Sequence, residues 1–382
     1  MVALWKVKRE ALRVWFKIAD RITEPFDRFK QKRYDASFNE VTKLISGDGP
    51  LSSKIAIFFI YQDAKFSKTI ALTCKYLADK GFSVLLVSST EISGNHLKEL
   101  ASICWKILIR PNFGYDFGGY RDGLRVIAEH GISPDRLIIL NDSIWFPTCD
   151  STKLIQKLED AGLPFNSPVF ISISERAATN RHFQSFFFLL RKEALESDAF
   201  IKYWKHYRVS SVKRIVLKLG EKGFSQAMFC GGFGGGGLST KTVLFDLIGM
   251  QSNNFIRKSI GYAAYAEQSL VEEARSILVA FADTDVWRKR ALDHMQTALS
   301  KSSPIGVFVY ASTLLLDFSF LKKRSFADVF DGMRWQYLRA VKNGDLPAPH
   351  PDILAEIMAS KMDGRLTTDP SFPSPIPATK VR

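Results

Sequence analysis

Residues 105–147 read WKILIRPNFGYDFGGYRDGLRVIAEHGISPDRLIILNDSIWFP. An apolar run over 105–110 ends in an arginine. A polar, glycine-rich turn follows, holding Asn112, Gly114, Asp116, Gly118 and Gly119. Helical spacing then covers 120–130. A second apolar run, 136–140, leads straight into Asn141-Asp142-Ser143. Strand, turn, helix and strand in that order predict a βαβ unit and a parallel sheet. Both runs lack polar alternation, as expected of strands covered on two faces.

The alternation extends upstream. Residues 55–61 (IAIFFIY) and 82–88 (FSVLLVS) are further strands. Helical spacing lies between them at 68–80 and again at 97–104. Downstream, 169–174 and 183–190 read as strands with no clear helix between them, so the sheet is expected to change character there. Residues 193–207 and 212–219 read as helices and 231–237 (GGFGGGG) as a loop. The glycine run lacks the Lys and Ser/Thr of a phosphate loop. From about 254 to about 359 the spacing is helical. The tail from Thr367, with Pro370, Pro373, Pro375 and Pro377, has a disordered composition.

The first 22 residues form an amphipathic pattern. Trp5, Leu12, Trp15, Phe16 and Ile22 share one broad helical face, and Lys6, Arg9, Arg13, Lys17 and Arg21 the other, at about 100° per residue. Two readings fit: a helix lying in a membrane interface, or one packed on the protein's own core. Basic residues continue through Arg28, Lys30, Lys32 and Arg33.

The formal net charge of +14 favours anionic partners, whether nucleic acid, anionic lipid or phosphorylated substrates. The four cysteines are widely spaced and form no CxxC pair, so neither a zinc site nor a disulfide framework is expected. No apolar run approaches the roughly 20 residues of a membrane span, and no signal-peptide pattern opens the chain. A cytoplasmic protein, peripheral on the cytoplasmic membrane face, is the expectation.

In an open α/β sheet, ligands bind beyond the carboxyl ends of the strands. Arg110 there suits a phosphate. Asn112 and Asp116 can hydrogen-bond a base, a ribose or a sugar, and Gly114 lets the backbone approach closely. An apolar strand ending in an acidic residue is where nucleotide-sugar transferases of the GT-A type carry their DxD motif. Asp142 is therefore the candidate ligand for Mg²⁺ or Mn²⁺ against a donor diphosphate. With Asn141 and Ser143 beside it, the triplet has one carboxylate, so positive charge from Arg110 and its neighbours can replace the cation. Taken singly, Asp116 as a helix N-terminal acid, Asp142 as a loop cap and Asn112 as a turn residue are the plainer readings. Their combination at successive strand ends favours a site.

These residues resemble the rhamnan synthesis protein F family of bacterial transferases. The family's R-x-N-x-G-x-D element matches Arg110, Asn112, Gly114 and Asp116, and its N-D-S element matches Asn141, Asp142 and Ser143. A short H-x-Q-S-x-F element matches His182, Gln184, Ser185 and Phe187. Glu221, in GEKGFSQAM, is similar to an acidic residue of the family, and 313–326 (TLLLDFSFLKKRSF) to its leucine-rich stretch ending in a Phe-Leu-Lys-Arg pattern. The resemblance runs from about 54 to 326. Where the family often has Gly-Pro after N-D-S, this chain has Ile144-Trp145-Phe146-Pro147.

The resemblance implies a GT-A-like, Rossmann-type α/β fold: a mainly parallel sheet flanked by helices, with an N-terminal amphipathic helix and a C-terminal helical region. The expected boundaries are 1–48 for the basic segment, 49–253 for the transferase domain, 254–366 for the helical region and 367–382 for the tail. It implies transfer of rhamnose or another deoxyhexose from a nucleotide sugar, dTDP-rhamnose first, to a lipid-linked glycan acceptor in lipopolysaccharide or related polysaccharide synthesis. Arg110 and Asp142 would orient the diphosphate, and Ser88, Asn112 and Asp116 would line the nucleotide. His182 and Gln184 would meet the acceptor or sugar. Glu221, then Glu175, is the base of an inverting reaction.

Three rivals make different predictions. A non-catalytic membrane-surface scaffold predicts no donor turnover. A nucleic-acid binder lacks a basic-aromatic recognition motif and has acids interspersed throughout. An oxidoreductase would need a GxGxxG after the first strand, and Gly114, Gly118 and Gly119 do not form one.

Overall fold

The computed structural model describes residues 4–62, 66–92, 94–171, 181–234, 238–302, 304–323 and 329–360. Glu175, residues 235–237 of the glycine run and the tail from Thr367 lie outside the described residues. The chain forms two compact units that alternate along the sequence. The first is Met1–Phe66, Leu77–Leu140 and Leu190–Gly234, the second Ser67–Tyr76, Asn141–Leu189 and Gly235–Arg382.

Five strands order the first unit: β1 (Lys43–Ser46), β2 (Lys54–Ile60), β3 (Ser83–Ser88), β4 (Lys106–Ile109) and β5 (Arg136–Asn141), hydrogen-bonded in the order β1-β4-β3-β2-β5. β2, β3 and β4 run parallel, and β1 closes the edge antiparallel to β4. Ile55, Ile57, Leu85, Leu86, Ile107, Leu108 and Ile138 are fully buried. Each such side chain contributes about 1.5–3 kcal/mol relative to exposure. That is why these runs are strands and read as continuous apolar stretches. The largely parallel sheet expected from the sequence is thus present, flanked by helices.

The helices of this unit are α1 (Leu4–Ala36), α2 (Phe38–Val41), α4 (Gly94–Ile103) and α5 (Tyr115–Glu129), while most of α3 (Thr69–Asp79) belongs to the second unit. α5 begins after Gly114, whose φ of +84° belongs to the left-handed region that glycine adopts without strain. Gly119 faces the sheet, where an added Cβ would stand 2.1 Å from the Phe59 ring. That glycine serves helix–sheet packing.

α1 runs past the amphipathic pattern of the first 22 residues, within the expected basic segment of 1–48, and docks by a polar stripe. Arg214 donates two hydrogen bonds to Asp20, at 2.5 and 3.0 Å, and Arg208 pairs with Glu24 at 3.0 Å. Gln31 donates to the Tyr207 carbonyl and accepts from the Val209 amide. Arg121 grips Asp35 bidentately at 2.7 and 2.8 Å.

In the second unit, β6 (Ile144–Trp145) pairs antiparallel with a late strand, Leu321–Lys322. β7 (Phe165–Asn166), β8 (Phe170–Ile171), β9 (His182–Phe183) and β10 (Phe187–Arg191) fill the region between, with the late strand numbered β11. β8 and β9 pair antiparallel, and β7 neighbours β10. The run 183–190 is therefore two strands. Residues Gln184 to Phe186 separate them, with Gln184 N–H donating to the Val169 carbonyl. The helical region is present as helices such as Asn253–Gly261, Asp285–Lys301 and Pro351–Ala359. Trp145, Tyr262, Tyr310, Met333, Tyr337 and Ile353 form its core.

His294 sits inside this helical region, its side chain fully buried. Its ring nitrogens face Glu273 at 3.1 Å and the Tyr265 hydroxyl at 3.0 Å. Burial lowers its pKa from the usual 6.5, against the opposing pull of Glu273. Below that value the unfolded chain binds more protons than the folded one, so stability falls as pH drops from about 6.5. Melting from pH 7 to pH 5 should show this loss, and His294→Gln should flatten it. An unchanged slope would exclude His294 as its source.

Candidate functional site

The N-D-S triplet makes a tight turn after β5. Asn141 Oδ1 accepts from the Ser143 amide at 3.1 Å and from its hydroxyl at 2.6 Å. This is an Asx turn, which asparagine forms through its short side chain. The outer residues thus shape the loop, and half-buried Asp142 is presented between them.

Lys322, which ends β11, and Lys323, which follows it, both come to this turn. The Lys323 amide donates to the Ser143 carbonyl at 2.8 Å. Both ammonium groups lie near the turn, that of Lys322 against Ser143 and that of Lys323 within electrostatic reach of Asp142. Lys322 Nζ donates to Ser143 Oγ at 3.2 Å and lies 4.5 Å from the centre of the Phe186 ring. Lys323 Nζ donates to Thr69 Oγ1 at 3.4 Å and stands 4.0 Å from Glu356. Burial pushes the Lys323 pKa down, opposed by the carboxylates of Asp142 and Glu356.

Neighbouring groups hold the lysines in place. Glu356 accepts from Ser67, from Thr69 at 3.1 Å and from Trp145 Nε1 at 2.8 Å. Buried Arg334 donates to the carbonyls of both Lys322 and Lys323, and pairs with Asp331. The Asn141 amide donates to the Phe186 carbonyl at 3.2 Å. Three stretches that are far apart in sequence meet here: N-D-S, the H-F-Q-S-F-F element through Phe186, and the leucine-rich stretch through its lysines. His182 is buried in the β8–β9 pair and Gln184 is half-buried.

Two ammonium groups beside hydroxyls suit an anion such as a diphosphate. A resident Mg²⁺ or Mn²⁺ needs several oxygen ligands. Among the described residues, no group of three His, Cys, Asp or Glu is placed to hold one. Lys323 already faces Asp142.

The R-N-G-D turn lies in the first unit. Arg110 is buried, with Nε donating to Asp122 at 2.5 Å and Nη2 to the Phe113 carbonyl at 2.5 Å. Tyr34 donates to the same Asp122 oxygen at 2.6 Å. The structure therefore engages Arg110 in holding its own turn, where the sequence reading expects it to face a phosphate. Asn112 is exposed, and Asp116 Oδ1 accepts from the Phe117 amide at the start of α5. Ser88 is buried and caps its strand end, accepting from the Thr90 amide and donating to the Thr90 carbonyl.

Glu221 lies in a π-helical segment, Leu217–Lys222. Tyr203 donates to the carbonyls of Leu219 and Gly220, and Gly220 fits against the Phe117 ring. The elements carrying Asp116 and Glu221 thus pack together through Phe117. Single-turn π insertions often mark functional positions. An open cleft of about 660 Å³ is lined by Asp20, Glu24, Tyr203, Tyr207, Arg208 and Lys218. Its charges are largely paired, Asp20 with Arg214 and Lys218, Glu24 with Arg208.

Lys322, Lys323 and Glu356 are missing from the sequence-derived site. The Leu-Lys-Lys end of the leucine-rich stretch is the signal that points to the first two.

A curated protein of Sinorhizobium fredii (strain NBRC 101917 / NGR234), described as "Uncharacterized protein y4gN", is 28% identical over 218 residues. The similarity covers 57% of this chain and 57% of that protein, so the chain spans little more than half of its relative. No solved structure matches. Residues 84–265 match the family model described as "Rhamnan synthesis protein F". That stretch includes the R-N-G-D turn, N-D-S, the H-F-Q-S-F-F element and Glu221, and stops short of the lysines. The family resemblance read from the sequence is borne out over this part, where residues 84–265 match the model of the rhamnan synthesis protein F family.

Proposed function

We propose that the protein is a glycosyltransferase, GT-A-like in its donor domain, that moves a sugar from a nucleotide-sugar donor to a growing bacterial surface polysaccharide. The family description supports polysaccharide synthesis, with rhamnose carried by dTDP as the first donor to test. The observation that carries the reading is the pair of lysines at the N-D-S turn, Lys322 bonded to Ser143 and Lys323 beside Asp142.

In this reaction the acceptor hydroxyl oxygen forms a bond to the anomeric carbon. The bond from that carbon to the diphosphate breaks, and its electron pair leaves with the nucleoside diphosphate. The two ammonium groups neutralise the charge growing on the leaving oxygens, in a setting fixed before reaction. Asp142 accepts a hydrogen bond from a hydroxyl of the donor. The acceptor proton goes to a carboxylate base, with Glu221 proposed first and Glu175 second. Full turnover in Glu221→Gln would remove it from that role.

Thermal melting with a panel of nucleotide sugars tests the donor site. One donor should raise Tm through preferential binding to the folded state, equally with and without Mn²⁺, and Asp142→Ala should abolish the shift. If no donor shifts Tm, the transferase reading gives way to a scaffold with a transferase-like fold.

A further inference from the structure

We infer that α1 is a membrane-docking helix, fixed to the first unit by an acidic stripe and turning an aromatic face to an anionic lipid surface. The evidence is the rotation of the helix. Asp20, Glu24, Gln31, Tyr34 and Asp35 all bond the protein. At about 100° per residue these positions share one side. Trp15, Ile22, Phe26 and Phe29 fall on the opposite side and are 64%, 60%, 65% and 68% exposed.

This is the reverse of the usual surface helix, which buries its apolar stripe and wets its charges. Here the charged stripe is used for docking, and four large apolar side chains, three of them aromatic, are left on one exposed line. The core-packing reading of the N-terminal segment therefore fails over these residues.

The flanking charge selects the occupant. Exposed Arg21 and Lys32 lie along one border of the apolar line, Lys30 along the other, and Arg33 at its end. Aromatic residues bordered by Lys and Arg match an interfacial helix on an anionic bilayer, with apolar rings at the acyl boundary and cations at the headgroups. A second copy is the poorer partner. A two-fold pair would set the same cations against themselves, in a chain already at +14. No helix among the described residues is long and apolar enough to cross a membrane, so α1 lies on the surface instead of spanning it.

The docking does not depend on the sugar chemistry proposed above. The test is co-sedimentation of the full chain with phosphatidylcholine vesicles, with and without phosphatidylglycerol. Binding should need the anionic lipid and weaken as salt rises. Phe26→Glu with Phe29→Glu should lower partitioning at least about tenfold. These side chains are exposed, so Tm should hold. Lys30→Glu with Arg33→Glu should also weaken binding and reduce its salt dependence. Failure of the wild type to bind anionic vesicles would overturn the inference, as would full binding by both double variants. So would a dimer in light scattering that the Phe26/Phe29 variant dissolves, which would assign the face to a second copy.

Discussion

Lys323→Met should leave the fold standing and cut sugar transfer by about two to three orders of magnitude, the usual loss for one preorganised donor to developing charge. The Lys323 side chain is only 19% exposed, and burial holds its pKa down. A charge kept there opposes folding, and an unbranched apolar replacement of similar length removes that cost. Glu356 would still accept from Ser67, Thr69 and Trp145, so no buried carboxylate is stranded. Tm should therefore stay level or rise while kcat collapses. That split separates a functional charge from a structural one. Glu356→Gln provides the companion result. Glu356 raises the Lys323 pKa, so its neutralisation should move the alkaline limb of the kcat profile to lower pH. Wild-type turnover in Lys323→Met would remove the lysine from the reaction and with it the main support for the diphosphate site.

The parts of the fold that could be read from the sequence are those governed by local composition. β2 through β5 are apolar on both faces, and their short length and β-branched content mark such runs as strands. β1 escaped because Lys43–Ser46 is short and largely exposed, and exists through pairing with β4. The glycines before and within α5 were legible as a special turn, but their purpose was not. Only the packed structure shows Phe59 beneath Gly119. The N-D-S turn was found because it directly follows a strand. Its lysines were not, because β11 reaches it from the far end of the chain. α1 shows the same limit. Its amphipathic pattern was plain, yet which face docks depends on Arg121, Arg208 and Arg214, whose positions follow from tertiary structure.

Arg110→Met and Asp122→Leu should each destabilise the protein by about 3–5 kcal/mol, because each strands its partner's charge in the interior. Both side chains are essentially inaccessible, at 0% and 1% exposure. With Arg110 gone, Asp122 keeps the Tyr34 hydroxyl at 2.6 Å and is left with Arg121, at 3.8 Å, as its cation among the described residues. With Asp122 gone, Arg110 keeps the Phe113 carbonyl and the face of Tyr34, 5.7 Å from the ring centre. The double variant should cost less than the sum of the two, since neither charge is then left alone. Urea midpoints at constant m measure all three. The same series decides what the arginine in R-N-G-D is for. A diphosphate ligand would lose donor binding on substitution and keep its stability. An arginine that ties strand end, turn carbonyl and α5 together loses stability first. The buried pair and its bond to Phe113 predict the second outcome.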